Sequence, residues 1–406
     1  MFEDLQWVKY ATIPIIAGVI GYVTNWIAVR MTFLPLEFVG IPPYLGWQGI
    51  IPLKARKMAS ISVESVLSKI GSLREIAEQM DPERIAEHIV ATIDPMVPAM
   101  VDDYARQSGF ADLWATMPEA LRDAVYTRVR RKLPTRVHSL TADVADKIDD
   151  LLDLRLMVVD QLAADKELLN RIFLEAGEQE FKFIVRSGLW FGFLLGLFQM
   201  GLQLLWDAWW LLPVAGIVIG YVTNWLALKI IFEPLEPRRI GPVVVQGLFL
   251  KRQKEVAAVF CRLVTREILT LRNFVDRLLN GPRSDRTHAM IRRHLAPLVD
   301  EAVGLARPMV KMAMGTSEYA KGVERMGVHA VELSDLAFGD PVFNAERAVA
   351  VEHEMRARME ELTPMEFQYM LRPAFQEDET KLIVAGAILG GLAGMAQSIF
   401  VFGGIG

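Results

Sequence analysis

Four blocks of the chain are apolar and carry no charge, at 10–29, 187–206, 208–228 and 382–406. Each block is about 20 residues or longer, the length that an α-helix needs to cross about 30 Å of hydrocarbon. Buried core helices are the alternative, but uncharged runs of this length are rare in soluble domains. The pattern therefore predicts four transmembrane helices, at 10–33, 183–206, 208–232 and 381–403.

The regions between these blocks, 54–182 and 251–380, are rich in charge and are punctuated by proline. Within the second region, Val256, Val259 and Phe260 recur at helical spacing with charged residues on the other side, a pattern typical of amphipathic helices. These helices could pack as bundles, pair with each other across the chain or lie on the membrane. No alternating strand pattern stands out, so the predicted fold class is an all-α membrane protein.

The chain contains an internal duplication. The segment Pro14–Leu36, PIIAGVIGYVTNWIAVRMTFLPL, aligns without gaps on Pro213–Leu235, PVAGIVIGYVTNWLALKIIFEPL. A second matching pattern, Gly-x3-Gly-x3-Gly-x2-Gln, occurs at Gly188, Gly192, Gly196 and Gln199 and again at Gly386, Gly390, Gly394 and Gln397. We therefore predict two repeats, 1–206 and 207–406, each with two transmembrane helices that flank a cytoplasmic helical region.

Two helices per repeat bring both repeats into the membrane from the same side, so the repeats are predicted to be parallel. Basic residues such as Arg30, Lys54, Lys182 and Lys229 flank the spans on the side of the charged regions, whereas only Lys9 flanks a span on the other side. The positive-inside rule then places the helical regions in the cytoplasm and both termini in the periplasm.

Composition argues against several classes of protein. The chain is 52% hydrophobic, has a net charge of -5 and contains one cysteine, Cys261, which excludes an internal disulfide and a cysteine-based metal cluster. The six histidines have no metal-ligand spacing, and no catalytic motif or phosphate-binding loop is present. We therefore expect no catalytic residue, no metal and no cofactor, and the charge gives no sign of a nucleic-acid partner.

Polar side chains inside the spans are the candidate functional residues. Their amides and hydroxyls must find partners, because an unpaired polar group is costly in hydrocarbon. They either hydrogen-bond between helices or line a polar site between the repeats. The residues are Thr24, Asn25, Gln199, Thr223, Asn224 and Gln397.

Other features of the spans suggest contacts with lipid and with neighbouring helices. Arg30 and Lys229 close their spans and either set topology or bind an anionic lipid phosphate. The glycines at 188, 192, 196, 386, 390 and 394 let helices approach closely. The connectors at 34–53 and 233–250 include long uncharged stretches, which favours an interfacial or re-entrant position.

The run GYVTNW-x-A-x-[RK]-x-x-F-x-P-L, the Gln-Gly pair in each connector and the Gly/Gln pattern of the last span together resemble a known family. It comprises uncharacterised bacterial membrane proteins of the YheB and YjiN type, domain-of-unknown-function family 445. The YheB-like branch is the closer, because it is similar to this chain in carrying the motif at the N-terminus. The resemblance implies a bacterial inner-membrane protein and brings no assigned activity.

Two functions are compatible with these patterns. The first is a non-enzymatic membrane-anchored scaffold or envelope-maintenance protein, whose cytoplasmic helical regions bind a partner protein or lipid. The alternative is a transporter, channel or lipid-translocating unit with a polar path between the repeats. Membrane lipid is the expected partner in both cases, and pairing of two chains through the glycines is a further possibility.

Overall fold

Among the residues that the structure describes, four long helices are apolar enough to span a membrane, in agreement with the predicted number of spans. The computed structural model describes residues 2–41, 45–107, 111–206, 208–303, 337–371 and 379–402. Residues 403–406, where the last predicted span ends, lie outside these ranges. We name these helices span 1, Phe2–Phe33; span 2, Glu178–Leu205; span 3, Leu211–Phe232; and span 4, Glu379–Phe402. The stretch apolar enough to cross a membrane begins at Lys9 in span 1 and ends at Phe400 in span 4.

The chain divides into two compact units. The span unit contains 1–70, 158–261 and 356–406, and therefore includes all four spans. The helical unit contains 71–157 and 262–355.

In the span unit, span 1 packs along span 2 and span 3 packs along span 4. Span 2 also contacts span 3, and span 1 contacts span 4. Small residues on the facing sides explain why these helices pack so closely, since glycine lets two backbones touch. Large apolar side chains such as Trp190, Leu194 and Phe198 remain exposed on the outer side of span 2, as a surface in contact with lipid requires.

The structure is mostly helical, as predicted, but the connectors contain short strands that the sequence analysis did not anticipate. Hairpin 1 pairs Val39–Ile41 with Leu45–Trp47, and hairpin 2 pairs Arg238–Ile240 with Val243–Val245, both antiparallel. A strand of three residues is too short to produce a recognisable alternation in the sequence. One short helix follows each hairpin, at Ile50–Leu53 and at Leu248–Lys251.

The remaining elements are the helices of the two charged regions between the spans. They are Ala55–Ile70, Leu73–Gln79, Pro82–Ile93, the 3₁₀ turn Asp94–Met96, Val97–Gln107, Ala111–Thr116, Glu119–Asp146, Ile148–Leu151, Leu154–Ala164, Lys166–Ala176, Gln253–Leu263, the π-helical turn Val264–Ile268, Leu271–Asn280, Ser284–Val303, Pro341–Glu361 and Pro364–Leu371.

Side-chain caps begin several of these helices. Ser72, Asp81 and Thr270 each accept a hydrogen bond from the backbone N–H three residues later, which satisfies a donor that the helix itself leaves free. In the helical unit, apolar residues of the helices Pro82–Ile93, Val97–Gln107, Glu119–Asp146 and Ser284–Val303 meet in a hydrophobic core. Its buried residues are Ala86, Val97, Leu133, Val137 and Leu298.

Candidate functional site

The GYVTNW run has two faces on its helix. Gly21 and Asn25 are one turn apart, are buried and face span 2, whereas Tyr22 and Trp26 are exposed on the other side. The second copy repeats this arrangement on span 3, where Gly220 and Asn224 are buried and Trp225 is exposed. One face of the motif therefore packs against the neighbouring span and the other meets the surroundings.

Glycines hold the paired spans in backbone contact. A Cβ added to Gly21 would overlap the carbonyl of Gly188, and one added to Gly188 would overlap that of Gly21. Farther along the same pair, a Cβ on Gly192 would lie 2.5 Å from the carbonyl oxygen of Ala17. The three glycines of span 4, at 386, 390 and 394, meet span 3 in the same way. All six predicted packing glycines are thus at helix–helix contacts.

The two intramembrane asparagines form hydrogen bonds between the paired spans. Asn25 Nδ2 donates to the carbonyl oxygen of Ile184 at 2.7 Å, and Asn224 Nδ2 donates to that of Leu382 at 2.9 Å. Ile184 and Leu382 each lie four residues before the first glycine of their span, so the two bonds occupy corresponding positions. A backbone carbonyl of the partner helix, not the other asparagine, is the acceptor in both.

The buried threonines are satisfied within their own helices. Thr24 Oγ1 donates to the carbonyl of Gly21 at 3.2 Å, and Thr223 Oγ1 donates to that of Ile219 at 2.8 Å. Hydrogen bonds of this kind are a common way for a helical hydroxyl to enter an apolar environment. Neither threonine is therefore needed as a partner for its neighbouring asparagine.

Gln199 and Gln397 are buried but lie away from the asparagines. The paired spans run antiparallel, so Asn25 meets the start of span 2, whereas Gly196 already meets Pro14 near the other end. Gln199 follows Gly196 and lies about 22 Å along the helix axis from Ile184 at 1.5 Å per residue. The six predicted polar residues consequently do not form one site.

Arg30 and Lys229 lie beside the exposed tryptophans. The guanidinium carbon of Arg30 is 5.3 Å from the ring centroid of Trp26, and Lys229 Nζ is 4.9 Å from that of Trp225. These are distances at which a cation is attracted to the face of an aromatic ring. Each motif thus ends in an aromatic–cation pair at the connector end of its span.

Two buried amides that the sequence analysis missed cap spans 1 and 3. Asn170 Nδ2 donates to the carbonyl of Phe33 at 2.6 Å, and Gln368 Nε2 donates to that of Phe232 at 3.0 Å. Both acceptors are last-turn carbonyls, which a helix leaves without an internal partner. The separation of Asn170 from Gln368 along the chain equals that of Gly188 from Gly386, and this equal spacing was the available signal.

A buried ion pair also escaped the sequence analysis. Arg252 Nη1 lies 2.8 Å from Glu180 Oε1, with 5% of the glutamate side chain and 22% of the arginine side chain exposed. Burial opposes the charge of Arg252, but hydrogen bonds and charges from Glu255 and Glu180 outweigh this effect and raise its pKa. The pair joins the start of span 2 to the segment after hairpin 2.

A cleft opens at the connector end of the four spans. Its open mouth included, it holds about 660 Å³ and is lined by residues from every span, mostly apolar. Among its polar lining residues are Glu180, Asn224 and Thr32. Asn25 is not among the lining residues, although it makes the corresponding hydrogen bond in the first half of the chain.

Comparison with known proteins gives one partial match. Over 68 residues the chain is 41% identical to a UPF0754 membrane protein of Exiguobacterium sibiricum. The matched stretch is 16% of this chain and 18% of that protein, so it spans less than a fifth of either. No family model matches the chain. The match and the four apolar helices support a membrane protein similar to an uncharacterised bacterial membrane family, and the assignment to domain-of-unknown-function family 445 and its YheB-like branch stays a prediction.

Proposed function

We propose that this chain is a multi-pass bacterial inner-membrane protein with a structural role, as a membrane-anchored scaffold or envelope-maintenance protein without enzymatic activity. In this proposal the helical regions lie in the cytoplasm, where they bind a partner protein or lipid, and both termini lie in the periplasm. Nucleic acid is not a proposed partner.

The proposal includes an internal duplication. Support comes from contacts that recur at corresponding positions of the two halves. They are the asparagine-to-carbonyl bonds, the glycine contacts, the amide caps on spans 1 and 3, and the aromatic–cation pairs.

The observation that best supports a structural role is that the intramembrane amides form hydrogen bonds between helices. Asn25 and Asn224 each donate to a backbone carbonyl of the adjacent span, and glycines bring the same two backbones into contact. A solute path needs polar groups that face an opening, whereas these donors are directed at other helices. Interhelical bonds of this kind contribute about 0.6–2 kcal/mol each.

The cleft favours a second candidate function, a transporter or lipid-translocating unit. Asn224 and Glu180 both line it at the connector end of the spans. In that case Asn224 contacts the transported molecule as well as Leu382, and the first half contributes no equivalent contact through Asn25.

The variants Asn25→Leu and Asn224→Leu distinguish the two functions. Each variant removes an equivalent hydrogen bond between paired spans, but only Asn224 also lines the cleft. For a structural protein we expect both variants to lower the melting temperature in detergent by similar amounts. We also expect proteoliposomes containing the wild-type protein to show no more ion flux or lipid scrambling than empty vesicles.

Flux that is abolished in Asn224→Leu and retained in Asn25→Leu would contradict the structural role and support transport. Equal thermal destabilisation without any flux in the wild type supports the structural role. In cells, a photocrosslinker at the exposed position Leu121 of the helical unit is expected to give a discrete protein adduct if this unit binds a partner.

A further inference from the structure

The two hairpins are fixed to the ends of the spans that precede them. In hairpin 1, Trp47 Nε1 donates to the carbonyl of Met31 at 3.1 Å, and Gln48 Nε2 donates to that of Leu36 at 2.6 Å. The backbone N–H of Gly49 donates to the carbonyl of Pro35 at 2.9 Å. Because these bonds tie the returning strand to the last turn of span 1, hairpin 1 cannot lie far from the membrane boundary.

Hairpin 2 is fixed to span 3 by equivalent hydrogen bonds. Gln246 Nε2 donates to the carbonyl of Leu235 at 3.2 Å, and the N–H of Gly247 donates to that of Pro234 at 3.0 Å. A Cβ on Gly247 would lie 2.8 Å from the carbonyl oxygen of Ile231, so this chain segment touches span 3 directly. The Gln-Gly pair therefore anchors each hairpin at the depth where its span ends.

Hairpin 1 exposes apolar side chains at that depth. Val39 pairs with Trp47 across the strands, and Val39 and Ile41 lie on the same face because strand side chains alternate. Val39 is 63% exposed and Ile41 is 71% exposed, and the chain has no charge from Phe38 to Leu53. An exposed apolar face beside a membrane span fits a layer that can cover it.

Hairpin 2 carries cations in the corresponding strand. Arg238 and Arg239 are exposed, and Arg239 pairs in register with Val244, which is also exposed. Acidic residues are close along the chain: Glu233 lies 4.0 Å from Lys229 Nζ, and Glu236 is exposed. A guanidinium suits phosphate because it donates two parallel hydrogen bonds.

The aromatic–cation pairs mark the same level on the spans. Trp26 and Trp225 are exposed within reach of Arg30 and Lys229. Tryptophans with this exposure are typical of the boundary between hydrocarbon and headgroups. Tryptophans, cations and hairpins are therefore all found at the same end of spans 1 and 3.

We propose that both hairpins lie in the phospholipid headgroup layer at the end of the spans that carries Arg30 and Lys229. Hairpin 1 inserts Val39 and Ile41 at the boundary between the headgroups and the first methylene groups of the acyl chains, and hairpin 2 binds lipid phosphodiester groups through Arg238 and Arg239. This inference rests on the membrane location in the proposed function and specifies its lipid contact. It excludes a re-entrant course through the hydrocarbon.

Single-cysteine labelling in proteoliposomes tests the proposal. The native Cys261 is buried and is replaced by serine. An environment-sensitive fluorophore is then placed at Ile41→Cys or Val244→Cys, with Val19→Cys on the exposed face of span 1 as the lipid reference and Leu121→Cys in the helical unit as the water reference. Lipids with a spin label at the headgroup or at the middle of the acyl chain quench the fluorophore.

At positions 41 and 244 we expect quenching by headgroup-labelled lipid to be at least threefold stronger than at position 121, and stronger than quenching by chain-labelled lipid. At position 19 the chain label is expected to quench more. The variant R238Q/R239Q is expected to halve headgroup quenching at position 244 and to leave position 41 unchanged.

Water-like emission at position 41 would overturn the insertion of hairpin 1. Stronger quenching there by the chain label would show a re-entrant course. Unchanged quenching at position 244 in R238Q/R239Q would overturn phosphate binding. If position 19 also behaved like position 121, the membrane location itself would fail, whereas failure of the structural role would show in the flux assay.

Discussion

At the level of single residues, backbone contact between paired spans leaves no space for any side chain at the six packing glycines of spans 2 and 4, not even the methyl group of alanine. A side chain at Gly188 has no space because the carbonyl of Gly21 occupies it. Gly201 lies in the same helix, and a Cβ there would meet nothing within 4 Å. The chain thus supplies its own control for the effect of replacing a glycine.

We predict that Gly188→Leu lowers the free energy of unfolding by about 3 kcal/mol, the upper range of overpacking effects. The matched variant Gly201→Leu should have a melting temperature in detergent within a few degrees of the wild type. Equal melting temperatures for the two variants would show that the close contact between spans 1 and 2 contributes nothing to stability.

The ion pair between Glu180 and Arg252 leads to a different residue-scale prediction. Removing Arg252 leaves the charge of Glu180 buried without its partner, which costs about 3 kcal/mol, whereas removing Glu180 leaves Arg252 paired with Glu255 at 2.7 Å and should cost less. Glu180→Leu and Arg252→Met are each expected to lower the melting temperature in detergent. The double variant should recover at least half of the loss, because no uncompensated charge then remains. Additive losses in the double variant would indicate that the two side chains act independently.

The asparagines also show which features of a polar site can be predicted from the sequence. The need of Asn25 and Asn224 for partners follows from their position in apolar runs. Which carbonyl accepts depends on the antiparallel alignment of spans 1 and 2, which a sequence does not contain. The same alignment places Gln199 and Asn25 near opposite ends of the paired spans. Polarity within an apolar run therefore does not show which residues share a site.

At the level of elements, the four spans were predictable because a long uncharged run has few other folded forms. The hairpins were not, because each strand has three residues and hairpin 1 contains glycine and an unbroken apolar stretch. The caps on spans 1 and 3 were hidden for another reason. Asn170 and Gln368 lie on ordinary amphipathic helices, and only their spatial closeness to Phe33 and Phe232 gives them a role.

We predict that each cap stabilises its own connector. Asn170→Leu should increase amide hydrogen exchange in peptides that cover residues 33–41 and leave residues 232–240 unchanged. Gln368→Leu should do the opposite, so each variant serves as the control for the other. Increased exchange in both connectors with either variant would show general destabilisation instead of a local capping effect.

At the level of the whole molecule, the proposed orientation depends on which side of the membrane holds the connectors. With Cys261 replaced by serine, Ala208→Cys tests the link between spans 2 and 3, and Val244→Cys tests hairpin 2. In intact cells, a membrane-impermeant maleimide should label position 208 and should label position 244 only after the inner membrane is opened. Labelling of position 244 in intact cells would reverse the orientation.

The hydrogen bond from Asn25 to Ile184 also has a consequence for how the protein is made. Its two residues are 159 positions apart, and synthesis proceeds at about 5–20 residues per second. Span 1 therefore leaves the ribosome on the order of 10 s before its acceptor exists, with a buried amide that no partner satisfies. We expect the insertion machinery to hold this helix during that interval, so depletion of a membrane insertase should lower the amount of four-span protein that forms.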